Sequence, residues 1–367
     1  MKKRYYIPLI IIAAAAALTA AGRLSQSFAD FYADNIFRYI STPYAFLSGL
    51  LPVSLGELMV IAVLVLFGVG IPVMLIMFIF SKKYRMKTAR IALTTSLWIL
   101  AFVCMVQSLN CFALYGCTRF SERFFTPSQH DNEQLKELYT ILINECNSLA
   151  VQVPRDEDDR FILTIDPVEE CRESMKKASE QYPQLKGYYP KPKAIMFSYF
   201  MSQTGTAGMY FPFSMESTYN GDMVREVLPE VICHEYAHLK GFMQEDEANF
   251  ISFIATCGSE SPEVRYSGYL NALEYVHNQI YRNEIRSAYE LTDTISDQVR
   301  NDWFRFLPDN YWEDNKQKEI IPTETVSTVS DTASDTSMKL NGVEDGIASY
   351  SRMVNLLLDY YYPPEDQ

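Results

Sequence analysis

The sequence predicts an α+β chain, mostly helical, in which three N-terminal membrane-spanning helices precede a soluble domain with a small mixed sheet. Three observations predict it. Residues 1–116 hold three apolar runs, about 6–22, 59–80 and 91–115, each long enough to cross a bilayer. Beyond them apolar residues recur mainly at helical spacing. Only residues 194–213 change period, with the aromatic runs AIMFSY and MYFPF flanking a Gly/Thr loop, which reads as strand, loop, strand.

The first span follows Lys2, Lys3 and Arg4. It is either an anchor, in keeping with Arg23 close behind it, or a cleavable signal whose small-residue site is LTAA at 18–21. From Arg23 to Glu57, Phe28, Phe31, Tyr32, Ile36, Phe37, Tyr39 and Ile40 alternate with polar residues. This stretch is either amphipathic and laid on the membrane surface or an ordinary packed loop. Between the second and third spans stand Lys82, Lys83, Arg85, Lys87 and Arg90 with no acid among them. Basic loops stay in the cytoplasm, so this loop and the N-terminus face inward and the soluble part faces outward.

Charge divides along the same line. Residues 1–117 carry 10 of the 32 basic and 3 of the 45 acidic residues, leaving 22 against 42 for the remainder, a net −20. Such an acidic surface argues against nucleic acid and anionic lipid heads as partners. The seven cysteines form no C-x-x-C pair and, odd in number and scattered, do not read as a disulfide framework.

In the soluble part, Asp131 to Val151 places Leu135, Leu138, Tyr139, Leu142 and Cys146 on one side of a helix. Asp166-Pro167-Val168-Glu169 is a capped start for another. Pro212 inside the second strand run cannot donate to a ladder, so that strand is expected at a sheet edge. Residues 323–337 (TETVSTVSDTASDTS) lack apolar period and read as a flexible excursion, and the last helix is expected over about 346–361.

Chemistry concentrates in residues 231–249, VICHEYAHLKGFMQEDEAN. Residues four apart on a helix differ by about 40° in direction, so His234 and His238 reach one metal ion together. Glu235 stands one step round. This is the H-E-x-x-H zinc signature, with two imidazole ligands and the glutamate as general base. Pro229 suits the helix's first turn and Gly241 a left-handed end. A catalytic zinc needs a third protein ligand. Past Gly241 the polar stripe Glu245, Asn249, Ser252 and Thr256 follows one helix face in an otherwise apolar segment. Glu245 is the expected third ligand, Glu247 the reserve, and a merely solvated face the bland alternative. Cys233 points about 100° away from His234 and reads as core. Tyr266 and Tyr269, at the start of the next helix, are candidate donors to the oxyanion of a tetrahedral intermediate, with His277 a weaker one.

HEYAHLKG followed by EDEAN resembles the gluzincin metallopeptidases, whose membrane-bound members carry H-E-x-x-H and then E-x-x-x-D. The resemblance puts Glu245 on the ligand glutamate and Asn249 on the aspartate. Asparagine there cannot lend charge to a ligand imidazole. Over nearly the whole chain, the three spans, PVSLGEL, residues 191–217, RYSGYL and the C-terminal LNGVEDGIASYSRMVNLLLDYY are similar to an uncharacterised bacterial family of three-span membrane proteins with a zincin-like domain outside the membrane.

Together these readings give a membrane domain at 1–116, a zincin-like catalytic domain at 117–315, a Ser/Thr-rich segment at 316–338 and a C-terminal helical segment at 339–367. The expected function is a zinc-dependent metallopeptidase of the cytoplasmic membrane. It would hold one Zn²⁺ per chain on His234, His238 and Glu245, with Glu235 as base, and act outside the membrane on peptides or proteins, membrane and envelope proteins included. The rivals are a zinc hydrolase of a non-peptide amide and an inactive zincin-fold sensor or scaffold.

Overall fold

A computed structural model describes residues 3–80, 85–344 and 352–364. The chain is mostly helical and divides into two compact units. One comprises Met1–Cys117 with Phe211–Glu216, the other Thr118–Tyr210 with Ser217–Gln367.

The first unit contains three helices long and apolar enough to cross a membrane: α1 (Lys3–Leu24), α2 (Leu55–Phe80) and α3 (Arg85–Gly116). On α2 the side chains of Leu64, Phe67, Val69, Ile76 and Ile79 are all exposed. In water that apolar surface would be prohibitive; in hydrocarbon it is matched, while the helical backbone satisfies its own hydrogen bonds. Thr19 Oγ1 donates to Ser108 Oγ at 2.9 Å, tying α1 to α3. The start of α2 shows why PVSLGEL reads as it does. Ser54 caps the helix by accepting from Glu57 N at 3.1 Å, and the buried carboxylate of Glu216 takes the free N–H groups of Leu55 and Gly56 at 3.0 and 2.8 Å. A negative charge there answers both the orphan donors and the helix dipole. Residues 23–57 include the helices Gln26–Tyr32 and Arg38–Gly49, which bury Ala29, Tyr32 and Ala45 and expose Phe31, Tyr39, Ile40, Phe46 and Leu47. That is an amphipathic pair. Lys2, Lys82 and Lys83, on which part of the orientation reading rests, lie outside the described residues.

The second unit is built on five helices: α4 (Asn132–Ala150), α5 (Pro167–Gln181), α7 (Leu228–Leu239), α8 (Glu245–Cys257) and α9 (Pro262–Arg282). Asp131 caps α4 as a capping box with Gln134, and Asp166 caps α5 ahead of Pro167. The expected face of α4, Leu135, Leu138, Tyr139, Leu142 and Cys146, is buried. Between α5 and α7 the chain forms β1 (Lys193–Ile195), a short helix α6 (Ser198–Gln203), β2 (Gly208–Phe211) and β3 (Glu216–Asn220). β3 lies in the middle, parallel to β1, and β2 is an edge. The first strand run is shorter than its sequence suggests: after Ile195 the chain turns and residues 198–203 coil into α6.

The segment expected to be a flexible excursion is instead a helix, α10 (Thr323–Leu340), in which only Val326 and Met338 are buried. Its threonines return their hydroxyls to carbonyls one turn back, as Thr328 does to Glu324 and Thr332 to Thr328, both at 2.8 Å. The last helix, α11, is described over Met353–Tyr361; the expected earlier turns at 346–351 lie outside the described residues.

Candidate metal centre

α7 carries Pro229 in its first turn, and Gly241 follows its end at φ +100°, a left-handed turn that glycine adopts without strain. Every residue of α7 except His234 is buried. The chain then doubles back into α8, packed against α7, and this brings Glu245 to the two histidines.

Nε2 of His234 lies 3.1 Å from Nε2 of His238 and 3.1 Å from Oε2 of Glu245, and His238 Nε2 is 3.4 Å from that same oxygen. A tetrahedral ion with bonds of about 2.0–2.1 Å has donor–donor edges of roughly 3.3 Å. Two imidazoles and one carboxylate thus form one face of such a tetrahedron, and these three residues can hold a metal ion. The His238 ring is fixed from behind, because its Nδ1–H donates to Phe242 O at 2.7 Å and leaves the Nε2 lone pair for the centre.

The charges are coupled. Burial alone would raise the Glu245 carboxyl, but the His238 and His234 imidazoles outweigh it and hold that carboxyl far below the usual range. Burial would likewise lower His234, yet Glu245 lifts it to about 10. Without an ion, the cluster keeps protons where an ion would sit. Acid therefore competes with metal for these ligands.

Glu235 is buried with Oε2 unpartnered, and burial pushes its carboxyl up to about 7 against the pull of His234 and His238. Edge strand β2 begins beside it. A Cβ on Gly208 would stand 2.5 Å from Glu235 Oε1 and 2.7 Å from Val231 Cγ1, so only glycine lets the strand pass this close. Tyr210, two residues on, brings its ring within 6.4 Å of the His238 ring.

Glu247, the reserve ligand, faces elsewhere. Its oxygens accept from Ser121 N at 2.8 Å and Ser121 Oγ at 2.6 Å, and burial lifts its carboxyl to about 7. Asp246 pairs with Arg119 and Arg352 at 3.0 and 2.9 Å. The stripe Glu245, Asn249, Ser252 and Thr256 is not a solvated face. Ser252 Oγ donates to Glu230 O at 2.7 Å, and Asn249 Nδ2 to Tyr275 Oη at 2.9 Å.

The two tyrosines expected as oxyanion donors are placed apart from this cluster. Tyr266 Oη donates to Asp302 at 2.7 Å, and Tyr269 packs its ring on Phe253. Helical phase explains it. Tyr275 is nine residues beyond Tyr266, half a turn out of register, and it is Tyr275 that meets α8 at Asn249. Sequence reasoning missed Tyr275. The rotation of α9 against α8 that brings it to Asn249 is not encoded in either helix alone. Cys233 is fully buried, as expected of a core residue. His277 holds Tyr139 through Nδ1 at 2.8 Å, and burial lowers it to about 4. His130 Nε2 contacts both Ser128 Oγ and Asp359 Oδ1, at 3.0 and 2.8 Å. With nucleophile and acid on one ring nitrogen, this is no relay, since a triad needs them on opposite nitrogens.

Comparison with curated proteins and with solved structures finds no match to either. A family model described as "Protein of unknown function (DUF3810)" matches residues 32–358, so the chain, a membrane protein by its three apolar helices, belongs to the DUF3810 family.

Proposed function

We propose that this protein is a membrane-anchored zinc metallopeptidase with a zincin-like catalytic unit, working on peptide bonds at the outer face of the membrane. The observation that carries the reading is the meeting of three parts: a tripod of two imidazoles and a carboxylate with edges of 3.1–3.4 Å, a buried glutamate next to it, and a sheet edge beginning at that glutamate. Two nitrogens and one oxygen suit zinc, and three protein ligands leave the fourth position free, as in catalytic rather than structural sites.

When bound, zinc supplies a water of lowered pKa and a polarised scissile carbonyl. The chain's own residues do the rest. Glu235, buried and poised near neutrality, takes a proton from the attacking water and returns it to the leaving amine. β2, the edge strand of the sheet, is where an extended peptide would add itself as a further strand, lying across Glu235. Arg85, Lys87 and Arg90, with Lys3 and Arg4, favour a cytoplasmic N-terminus and an outward-facing second unit.

The test is cleavage of a peptide library by detergent-purified protein with zinc, for wild type and Glu235→Gln. Wild type should cleave, and the variant should lose at least a hundredfold in rate. Cleavage unaffected by Glu235→Gln would remove the assigned base. A non-catalytic metal-holding scaffold is the second reading. The observation favouring it is Asn249, which brings no charge to the cluster and gives its amide to Tyr275. Stoichiometric zinc without cleavage of any library member would support it.

A further inference from the structure

The two ligand histidines are not held alike. His238 has a backbone carbonyl on Nδ1, whereas among the described residues no hydrogen bond reaches Nδ1 of His234. Zinc-bound imidazoles almost always give that second N–H to a carboxylate or carbonyl, which fixes the ring and raises its basicity. Asn249, the residue at the expected place, is engaged with Tyr275.

One turn before His234, on the same face of α7, stands Glu230. Side chains on a helix lean towards its N-terminus, so the His234 ring lies over the Glu230 turn. Glu230 is 6 % exposed, and its Oε1 has no partner. Its backbone is locked, with its N–H bonded to Ser267 Oγ at 3.2 Å and its C=O to Ser252 Oγ at 2.7 Å. A buried carboxylate with an unused oxygen is costly unless a cationic or N–H group answers it. An imidazole carrying a metal ion is such a group.

We propose that Glu230 is the positioning residue of this centre: its carboxylate, through one water, receives Nδ1–H of His234 and supplies the charge that Asn249 cannot. Glu230 does not touch the ion or the substrate; it acts through His234. The inference rests on the zinc reading above and adds to it that the supporting carboxylate comes from the ligand helix itself, four residues before the first histidine.

The experiment measures zinc affinity by competition with a chromophoric chelator, on detergent-purified full-length wild type, Glu230→Gln, Glu230→Asp, Asn249→Asp and Glu230→Gln/Asn249→Asp. Thermal melting of each metal-free protein runs alongside. Loss of a supporting carboxylate typically weakens metal binding about 10–100-fold, which is the expectation for Glu230→Gln. The metal-free melting point should hold or rise, because a buried unpaired carboxylate is gone. Asn249→Asp should bring the double variant back to within about tenfold of wild type, by returning a carboxylate to the same ring. Equal affinity in wild type and Glu230→Gln would overturn the positioning role and leave the zinc reading standing. So would weakening that follows a fall in metal-free stability and is not rescued by Asn249→Asp or Glu230→Asp. Failure of wild type itself to bind zinc would overturn both.

Discussion

Helices α7 and α10 stand at opposite extremes of this chain. In α7 every residue but His234 is buried, including two glutamates and a histidine; in α10 only Val326 and Met338 are. α7 places ionisable groups where solvation is lost, and each must be answered by a partner, by a proton or by a ligand. α10 is rich in Ser, Thr and Asp, which are indifferent helix formers, and little packing holds it. Ionisable groups are therefore gathered in α7, where burying them is most expensive. The exposed helix carries little that a substitution could disturb.

The largest effects are expected at the ligands. His234→Ala or His238→Ala should abolish stoichiometric metal binding, since two remaining donors do not make a site, and elemental analysis would read it. Next comes Gly208→Ala, whose methyl would meet Glu235 Oε1 and Val231 Cγ1. Overpacking of about 1–3 kcal/mol is typical of such a change. Turnover should drop roughly ten- to hundredfold while metal content stays at the wild-type level. Loss of metal in Gly208→Ala would mean that the strand supports the ligands and not the base.

A pH effect of intermediate size is expected away from the site. His277, lowered by burial to about 4, has an ordinary unfolded value near 6.5. The folded state prefers the neutral ring, so its contribution is complete above about pH 6.5 and is lost as pH falls towards 4, where the unfolded chain binds the extra proton. The melting temperature should decline over that window, and His277→Gln should flatten this part of the decline. An unchanged slope would assign the acid sensitivity to other groups. The smallest effect is expected in α10. Thr332→Pro should reduce helical circular dichroism by a few residues' worth and leave the main melting transition within about 2 °C, because the cost stays local. A large drop would give α10 a packing role that its exposure does not suggest.

The same contrast explains what could be read in the sequence. The polar stripe of α8 was legible because Glu245, Asn249, Ser252 and Thr256 stand out against an apolar helix, and apolar neighbours impose burial. The start and end of α7 were legible because Pro229 and Gly241 have backbone reasons to be there. α10 was not, since exposed Ser and Thr suit helix, turn and coil almost equally and only the i−4 hydroxyl bonds of the folded helix distinguish them. Nor was the placement of Tyr266 and Tyr269 away from the cluster, which depends on how α9 is rotated against α8, a tertiary fact that no single helix encodes. The shortening of the first strand at Ile195 has the same origin. AIMFSY is equally compatible with a strand and with a strand that gives way to a helix once Ser198 donates its hydroxyl to Ile195 O.

Glu245 and Glu247 sharpen the point within a single turn. Two residues apart, one carboxyl is held down by imidazoles and the other lifted to about 7 by burial, which outweighs the hydrogen bonds from Ser121. The most direct measurement is bound metal per chain by elemental analysis on detergent-purified wild type, Glu235→Gln, Glu247→Ala and Glu245→Ala. About one zinc in the first three and none in Glu245→Ala is the expected result. Wild type that carries no metal and takes up none when zinc is supplied would contradict the account at its centre.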